Sequence, residues 1–296
     1  MPWTMCNGRM KMQRNGFVER TIFVIIRKRL FRWGRRLSLS KRQQFVIIIG
    51  ILTAGLLLTQ LVPTEYRYPM VAALSVMTYV GFAIGLREDL HRVEWLTLLT
   101  IPTFFTASIA LFYFLLPVRW LTRIPIAILY AVGMYALILT ENIYNVAAIR
   151  TIALLRAAHS VGFLLTLVTY FLLAQTTLSF RLPPFLQAPI LGVLSFPLIV
   201  QSLWSMELEP TVSRRVWRLS IALSVVQVQL AWFFSFWPVK TTIHALFFTT
   251  SLYGTMGMAQ QYLVERLYKK TVIEFFSVTT IVLLVTLLAT RWRGAQ

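Results

Sequence analysis

About nine apolar stretches of 16 to 28 residues run through this chain of 296, each set off from the next by a short polar joint. A hydrocarbon core is about 30 Å thick and a helix rises about 1.5 Å per residue, so each stretch is long enough to cross one. The pattern predicts an all-α, polytopic membrane protein with about nine transmembrane helices, eight to ten allowing for one ambiguous region. Composition agrees: 57% of residues are hydrophobic and 13% charged, whereas soluble domains are about 45–50% apolar.

The predicted spans are Gln43–Val62, Tyr68–Leu86, Trp95–Leu116, Ile124 to about Leu139, about Thr151–Leu178, Ala188–Met206, Val216–Trp237, about Ile243–Tyr262 and Thr271–Thr290. The fourth has an open continuation to Ile149, and merging or splitting around residues 140–156 is the main alternative. Three regions result: a basic head at 1–42, a bundle at 43–290 and a short tail at 291–296.

Net charge is +19, and the head holds twelve Lys/Arg against one acid, Glu19. In a membrane protein, such a cluster is expected to meet anionic headgroups, at about 1 kcal/mol per residue. No nucleic-acid partner is expected. On a helical projection Ile22, Ile25, Ile26, Leu30, Trp33 and Leu37 share one face. Arg27, Lys28, Arg32, Arg35 and Arg36 lie mostly opposite. That predicts an amphipathic helix in the headgroup plane, with those five as headgroup contacts. Val24 and Phe31 break the pattern, and a disordered basic tail or an organelle transit peptide are the alternatives. A secretory signal is not expected, because the apolar run is short and basic residues follow it.

With the head in the cytoplasm, Lys/Arg divide 22 inside to 7 outside, and 10 to 7 without the head. The bias predicts a cytoplasmic-membrane protein with its amino end inside and its carboxy end outside. Trp95, Trp204 and Trp217 fall at inner boundaries, and Trp120, Trp237 and Trp292 at outer ones. That distribution resembles an aromatic belt.

Ionisable groups inside a membrane are expensive and default to a functional reading. Glu141, Arg156, His159, Glu207, Glu209, Glu265 and Glu274 all fall toward the predicted cytoplasmic third. The densest polar stretch joins Glu141 and Asn145, four apart on one helix face, to Arg156 and His159, three apart on the next. With Gln201 and Gln227 these form a candidate polar pocket. Glu141 would be a proton or cation site, and Arg156 an anion or headgroup contact. The structural alternative pairs Glu141 with Arg150 or Arg156 and uses the asparagines as helix caps. Buried amides, among them Gln229, Gln260 and Gln261, mostly bond neighbouring helices. Pro102 and Pro197 interrupt spans three and six. Gly81 and Gly85 form a small-xxx-small pair that predicts close helix packing.

Residue scarcity argues against several chemistries. One aspartate, Asp89, cannot form an aspartyl dyad. Magnesium-diphosphate enzymes want several hard carboxylates. His91, His159 and His244 fall at different depths, which disfavours bis-histidine haem and zinc. No lysine sits mid-span for a Schiff base, and no serine elbow or phosphate-binding glycine loop is found. The single Cys6 permits no intrachain disulfide. No cofactor and no metal are expected, and an enzyme is disfavoured. The leading expectation is a non-enzymatic membrane component, a scaffold, assembly factor or partner subunit, with a membrane-protein partner. A permease or flippase with a cytoplasm-facing polar pocket is the alternative. A membrane enzyme using His159 with Glu141 is the third.

Overall fold

A computed structural model describes residues 40–59, 63–86, 94–116, 120–147, 154–209 and 211–290. The described residues are helical, with no strand among them. In chain order the α-helices are α1 (Lys41–Thr59), α2 (Arg67–Gly85), α3 (Glu94–Tyr113), α4 (Trp120–Ala147), α5 (Leu155–Ser179), α6 (Pro184–Glu207), α7 (Arg214–Phe234), α8 (Thr241–Leu263) and α9 (Lys269–Leu288). A 3₁₀ turn, Thr64–Tyr66, precedes α2. The predicted amphipathic helix, with Arg27, Lys28, Arg32, Arg35 and Arg36, lies outside the described residues. The chain divides into Met1–Gln44 and Phe45–Gln296, and the interfaces between helices belong to the second unit.

Local chemistry sets the helix boundaries. Ser40 and Gln43 start α1 as a reciprocal box: Gln43 N–H donates to Ser40 Oγ at 3.4 Å and Ser40 N–H to Gln43 Oε1 at 3.0 Å. Ser213 caps α7 by accepting from Val216 N–H. Pro184 opens α6 at a position where an N–H would have no helical partner. Just past α5, α6 and α8 stand three non-glycine residues in the left-handed region, Arg181 (φ 49°), Leu208 (φ 51°) and Glu265 (φ 57°). These are helix-terminating positions that glycine ordinarily fills. The ambiguous region resolves as one long α4 reaching Ala147, the longer of the two sequence alternatives.

Consecutive helices from α2 to α9 pack on one another, and α5 also touches α3 and α8, while α6 also touches α3 and α8. The helices α3, α5, α6 and α8, each touching four others, therefore form the centre of the bundle. Small residues permit the closest approaches, as membrane helices favour. Gly192 of α6 faces Val228 of α7, where a Cβ would run into Val228 Cγ2. Ile48 of α1 sits against Gly81 and Gly85 of α2, so the small-xxx-small pair forms a helix contact.

Seven helices, α1, α2, α4, α5, α6, α7 and α9, are long and apolar enough to cross a membrane. The outward faces are apolar too: Phe276 is 68% exposed and Leu288 87%. Apolar surface on this scale suits lipid rather than water. Two of the nine predicted spans fall short of that measure. The apolar part of α3 is the shorter run Thr97–Tyr113. Helix α8 has the length, but Thr249, Thr250, Ser251, Thr255, Gln260 and Gln261 dilute its hydropathy. It is also among the most buried, with Phe248, Leu252 and Met256 in the core.

Replacing Gly192 with Leu is expected to destabilise the bundle by about 1–3 kcal/mol through overpacking of the α6–α7 contact. Replacing the exposed Glu265 with Gly should instead stabilise it, by about 0.5–1 kcal/mol, by relieving the left-handed backbone. Thermal unfolding of the two variants in the same detergent checks both signs.

Candidate functional site

The polar residues singled out from sequence occupy the last turns of α4 and α6, the first turns of α5 and the interior of α7. At the centre is a clip built on Gln201. Its Oε1 accepts from the backbone N–H of Ile101 at 3.0 Å. Its Nε2 donates to Glu141 Oε1 at 2.7 Å. The amide orientation follows from chemistry, since a backbone N–H can only donate and must face the oxygen. One side chain of α6 thus ties α3 to α4. It does so one residue before Pro102, where the helix lacks an N–H and the proline ring presses on the preceding turn.

Glu141 and Gln201 are inaccessible, at 0% and 1% exposure. Among the described residues Glu141 Oε2 has no hydrogen-bond partner, and neither has Asn145 Oδ1, one helical turn on. The Asn145 amide reaches the Leu86 carbonyl at 3.4 Å, so it serves as a cap, but for the carboxy end of α2 rather than for its own helix. The expected pairing of Glu141 with Arg156 is not formed: Arg156 is exposed on the first turn of α5, and the carboxylate bonds an amide instead. Arg150 lies outside the described residues.

His159 is half-buried, and its Nε2 lies 2.8 Å from the Ser205 carbonyl. A carbonyl only accepts, so this nitrogen carries the proton. Tyr144, on the same helix as Glu141, lies against His159. Its ring is 5.5 Å from that of His159, and its hydroxyl donates to the Ala158 carbonyl at 2.9 Å. On the far side of α6, Gln260 of α8 donates to Ser202 Oγ at 2.8 Å and to the Ser202 carbonyl at 3.2 Å. Gln227 belongs to a separate group on α7. Its Oε1 accepts from Tyr170 of α5 at 3.2 Å, while its Nε2 has no partner among the described residues.

The six candidate residues are therefore not one open pocket. Glu141, Asn145 and Gln201 form a sealed knot, His159 bonds the end of α6, Gln227 bonds α5, and Arg156 points away from the interior. Sequence reading missed the partners supplied by the backbone, at Ile101, Leu86, Ala158 and Ser205, because any residue type can provide them. It also missed a second knot in which Thr106 of α3 meets Thr78 of α2 and Tyr130 of α4, each at 3.0 Å. A family model described as protein of unknown function, DUF5656, matches residues 48–289. The chain belongs to the DUF5656 family. The matched span runs from within α1 to the end of α9, so it takes in the whole polar knot and leaves out the basic head. No curated protein and no solved structure matches the chain.

For this DUF5656 chain the clip makes a graded prediction. Gln201→Leu strands both the Glu141 carboxylate and the Ile101 N–H and should cost about 3–5 kcal/mol. Glu141→Gln keeps an acceptor oxygen for Gln201 and should cost about 1 kcal/mol. A double-mutant cycle between Glu141→Leu and Gln201→Leu, followed by unfolding in detergent, should give a coupling of about 1–3 kcal/mol.

Proposed function

We propose that the chain is a non-enzymatic component of the cytoplasmic membrane, a scaffold or partner subunit of nine spans. Its amino end and basic head lie in the cytoplasm and its carboxy end outside. The observation that carries this reading is how the polar side chains are used. Glu141, Gln201, His159 and Gln260 each bond a neighbouring helix, and the first two are shut off from solvent. Such bonds fix helix positions, so these side chains serve first as links between helices. Helices at the margin supply broad apolar faces: in α9 only Thr286 is buried, and its large apolar side chains face lipid or a partner's helix.

The orientation rests on the 22 to 7 distribution of Lys/Arg. The helix directions agree with alternating crossings. The end of α6 meets both the start of α5 and the end of α8, while Trp237, past α7, donates to Thr290, past α9, at 2.7 Å. Cysteine labelling in a Cys6→Ser background tests it. Lys240→Cys should react with an impermeant maleimide added to intact cells, and Lys270→Cys only after permeabilisation. The reverse pattern overturns the orientation. A photo-crosslinker placed at Phe276 should give one discrete adduct with a membrane protein; a chain that stays monomeric and crosslinks only to lipid overturns the partner-subunit reading.

One observation favours a second reading, a permease or flippase. Glu141 Oε2 and Asn145 Oδ1, one turn apart on α4, are buried acceptors without partners among the described residues, beside a proline-interrupted helix, and such breaks recur at transporter ion sites. Proton or cation uptake into reconstituted vesicles that Glu141→Gln abolishes would favour that reading over a scaffold.

A further inference from the structure

Away from the Glu141 knot, at the other end of α5 and α6, four helix ends enclose a cavity of about 620 Å³. It lies where α5 and α7 finish and α6 and α8 begin. Arg181 and Lys240 line it, and among the described residues no carboxylate does. Thr241 and Thr242, the first two residues of α8, line it as well. The residue preceding α8, Lys240, makes no capping bond, and the first turn of α8 holds no acid. Pro183 before α6 likewise makes none, and that first turn is also free of acids. The uncapped start of α8 therefore opens on the cavity, and the N–H groups and positive dipole end of such a start attract anions, whereas at α6 the N–H groups of Leu186 and Gln187 already bond the Pro183 carbonyl.

Independent evidence comes from two buried side chains in the lining. His244 is 6% exposed, and its Nε2 has no hydrogen-bond partner among the described residues. Its ring is stacked 4.6 Å from Phe248 and lies edge-on to Phe234. Gln187, from the first turn of α6, is 9% exposed. Buried polar groups ordinarily find partners, and one left without calls for an explanation such as a ligand. Next to lining residues in the chain, Phe180, Phe185 and Phe236 are exposed apolar aromatics, surface that suits acyl chains better than water.

We propose that this cavity binds a phosphate-bearing anion. Arg181 and Lys240 supply the charge, and His244, Gln187 and the N–H groups of Thr241 and Thr242 supply further donors. Cations and a helix start converging from several sides suit the oxygens of a phosphate group. The volume exceeds that of a bare ion and is of the size that holds a phosphate together with what it is attached to. Two sources share this chemistry, a lipid headgroup and a soluble phosphate ester. The exposed aromatics suit the lipid.

Calorimetric titration of the purified full chain in neutral detergent distinguishes them, with inorganic pyrophosphate as one probe and short-chain phosphatidylglycerol as the other. One variant joins Arg181→Asn, a residue that tolerates the left-handed backbone, to Lys240→Gln. The charge-matched control joins Lys269→Gln to Lys270→Gln at the start of α9. Binding should weaken roughly tenfold or more in the first variant and stay unchanged in the control. Tight binding of the lipid alone assigns a headgroup, and equal binding of both probes assigns the phosphate group itself. His244→Phe, which suits the surrounding rings, removes a donor without removing charge. It should weaken binding about threefold or more, and it carries the test if the double variant does not fold. Equal weakening in both charge variants, or no binding of either probe, overturns the proposal.

Discussion

An amide that bonds a backbone N–H with one end and a carboxylate with the other is the interaction on which the middle of this bundle depends. Gln201 holds α3 beside its proline and α4 beside its one buried acid. In an apolar interior the cost of an unpaired donor or charge exceeds the net gain of a paired one. The clip therefore acts less as a source of stability than as a selector of register. Sliding α6 by one turn would strand Glu141, Gln201 and the Ile101 N–H together, and sliding α4 would strand Glu141 and the Gln201 N–H, so the penalty fixes the three helices relative to one another.

The same constraint governs the hydroxyls. Most Ser and Thr side chains along the helices donate to a carbonyl of their own preceding turn, as Thr53, Ser75, Thr166, Thr177, Thr250 and Thr286 do. A hydroxyl satisfied in this way presents little more than a small, nearly apolar surface to its neighbours. Polar residues that cannot bond their own helix, the amides above all, are the ones that link helices. The two ends of the bundle then differ in character. Glu141 with its amide and tyrosine neighbours closes one end, whereas the ends of α5 and α7 and the starts of α6 and α8 leave a cationic hollow at the other.

Much of the fold was legible in the sequence, because lipid-length apolar windows are bounded by groups that are costly to bury. The predicted third, sixth and ninth spans each lie within about four residues of the helices α3, α6 and α9. The site was legible only in its membership. Helical spacing placed Glu141 and Asn145 on one face, and the amides were expected to join helices, which Gln201 and Gln260 do. The partners were not legible. Backbone carbonyls and N–H groups leave no trace in residue type, and Glu141 with Arg156 was an electrostatic expectation that helix rotation defeats, since Arg156 turns outward. The cavity at the opposite end was hidden for a related reason. Arg181, Gln187, Lys240 and His244 come from two interhelix joints and the first turns beyond them, so no single window shows them together. The four-residue spacing of Lys240 and His244 at a helix start is the one local sign of it.

Helix α8 shows why hydropathy alone undercounts the central elements of a bundle. A helix that faces lipid must be apolar on that side, so its window average is high. A helix surrounded by other helices faces protein instead, and its small and polar residues are met by partners there: Gly254 and Gly257 lie against Thr279 and Phe275 of α9, and Gln260 against Ser202 of α6. Its lower apolarity is thus a consequence of burial. By the same reasoning α9, the most apolar and least buried of the candidate spans, meets the bundle chiefly through α8, so loosening that contact should leave the Gln201 clip undisturbed.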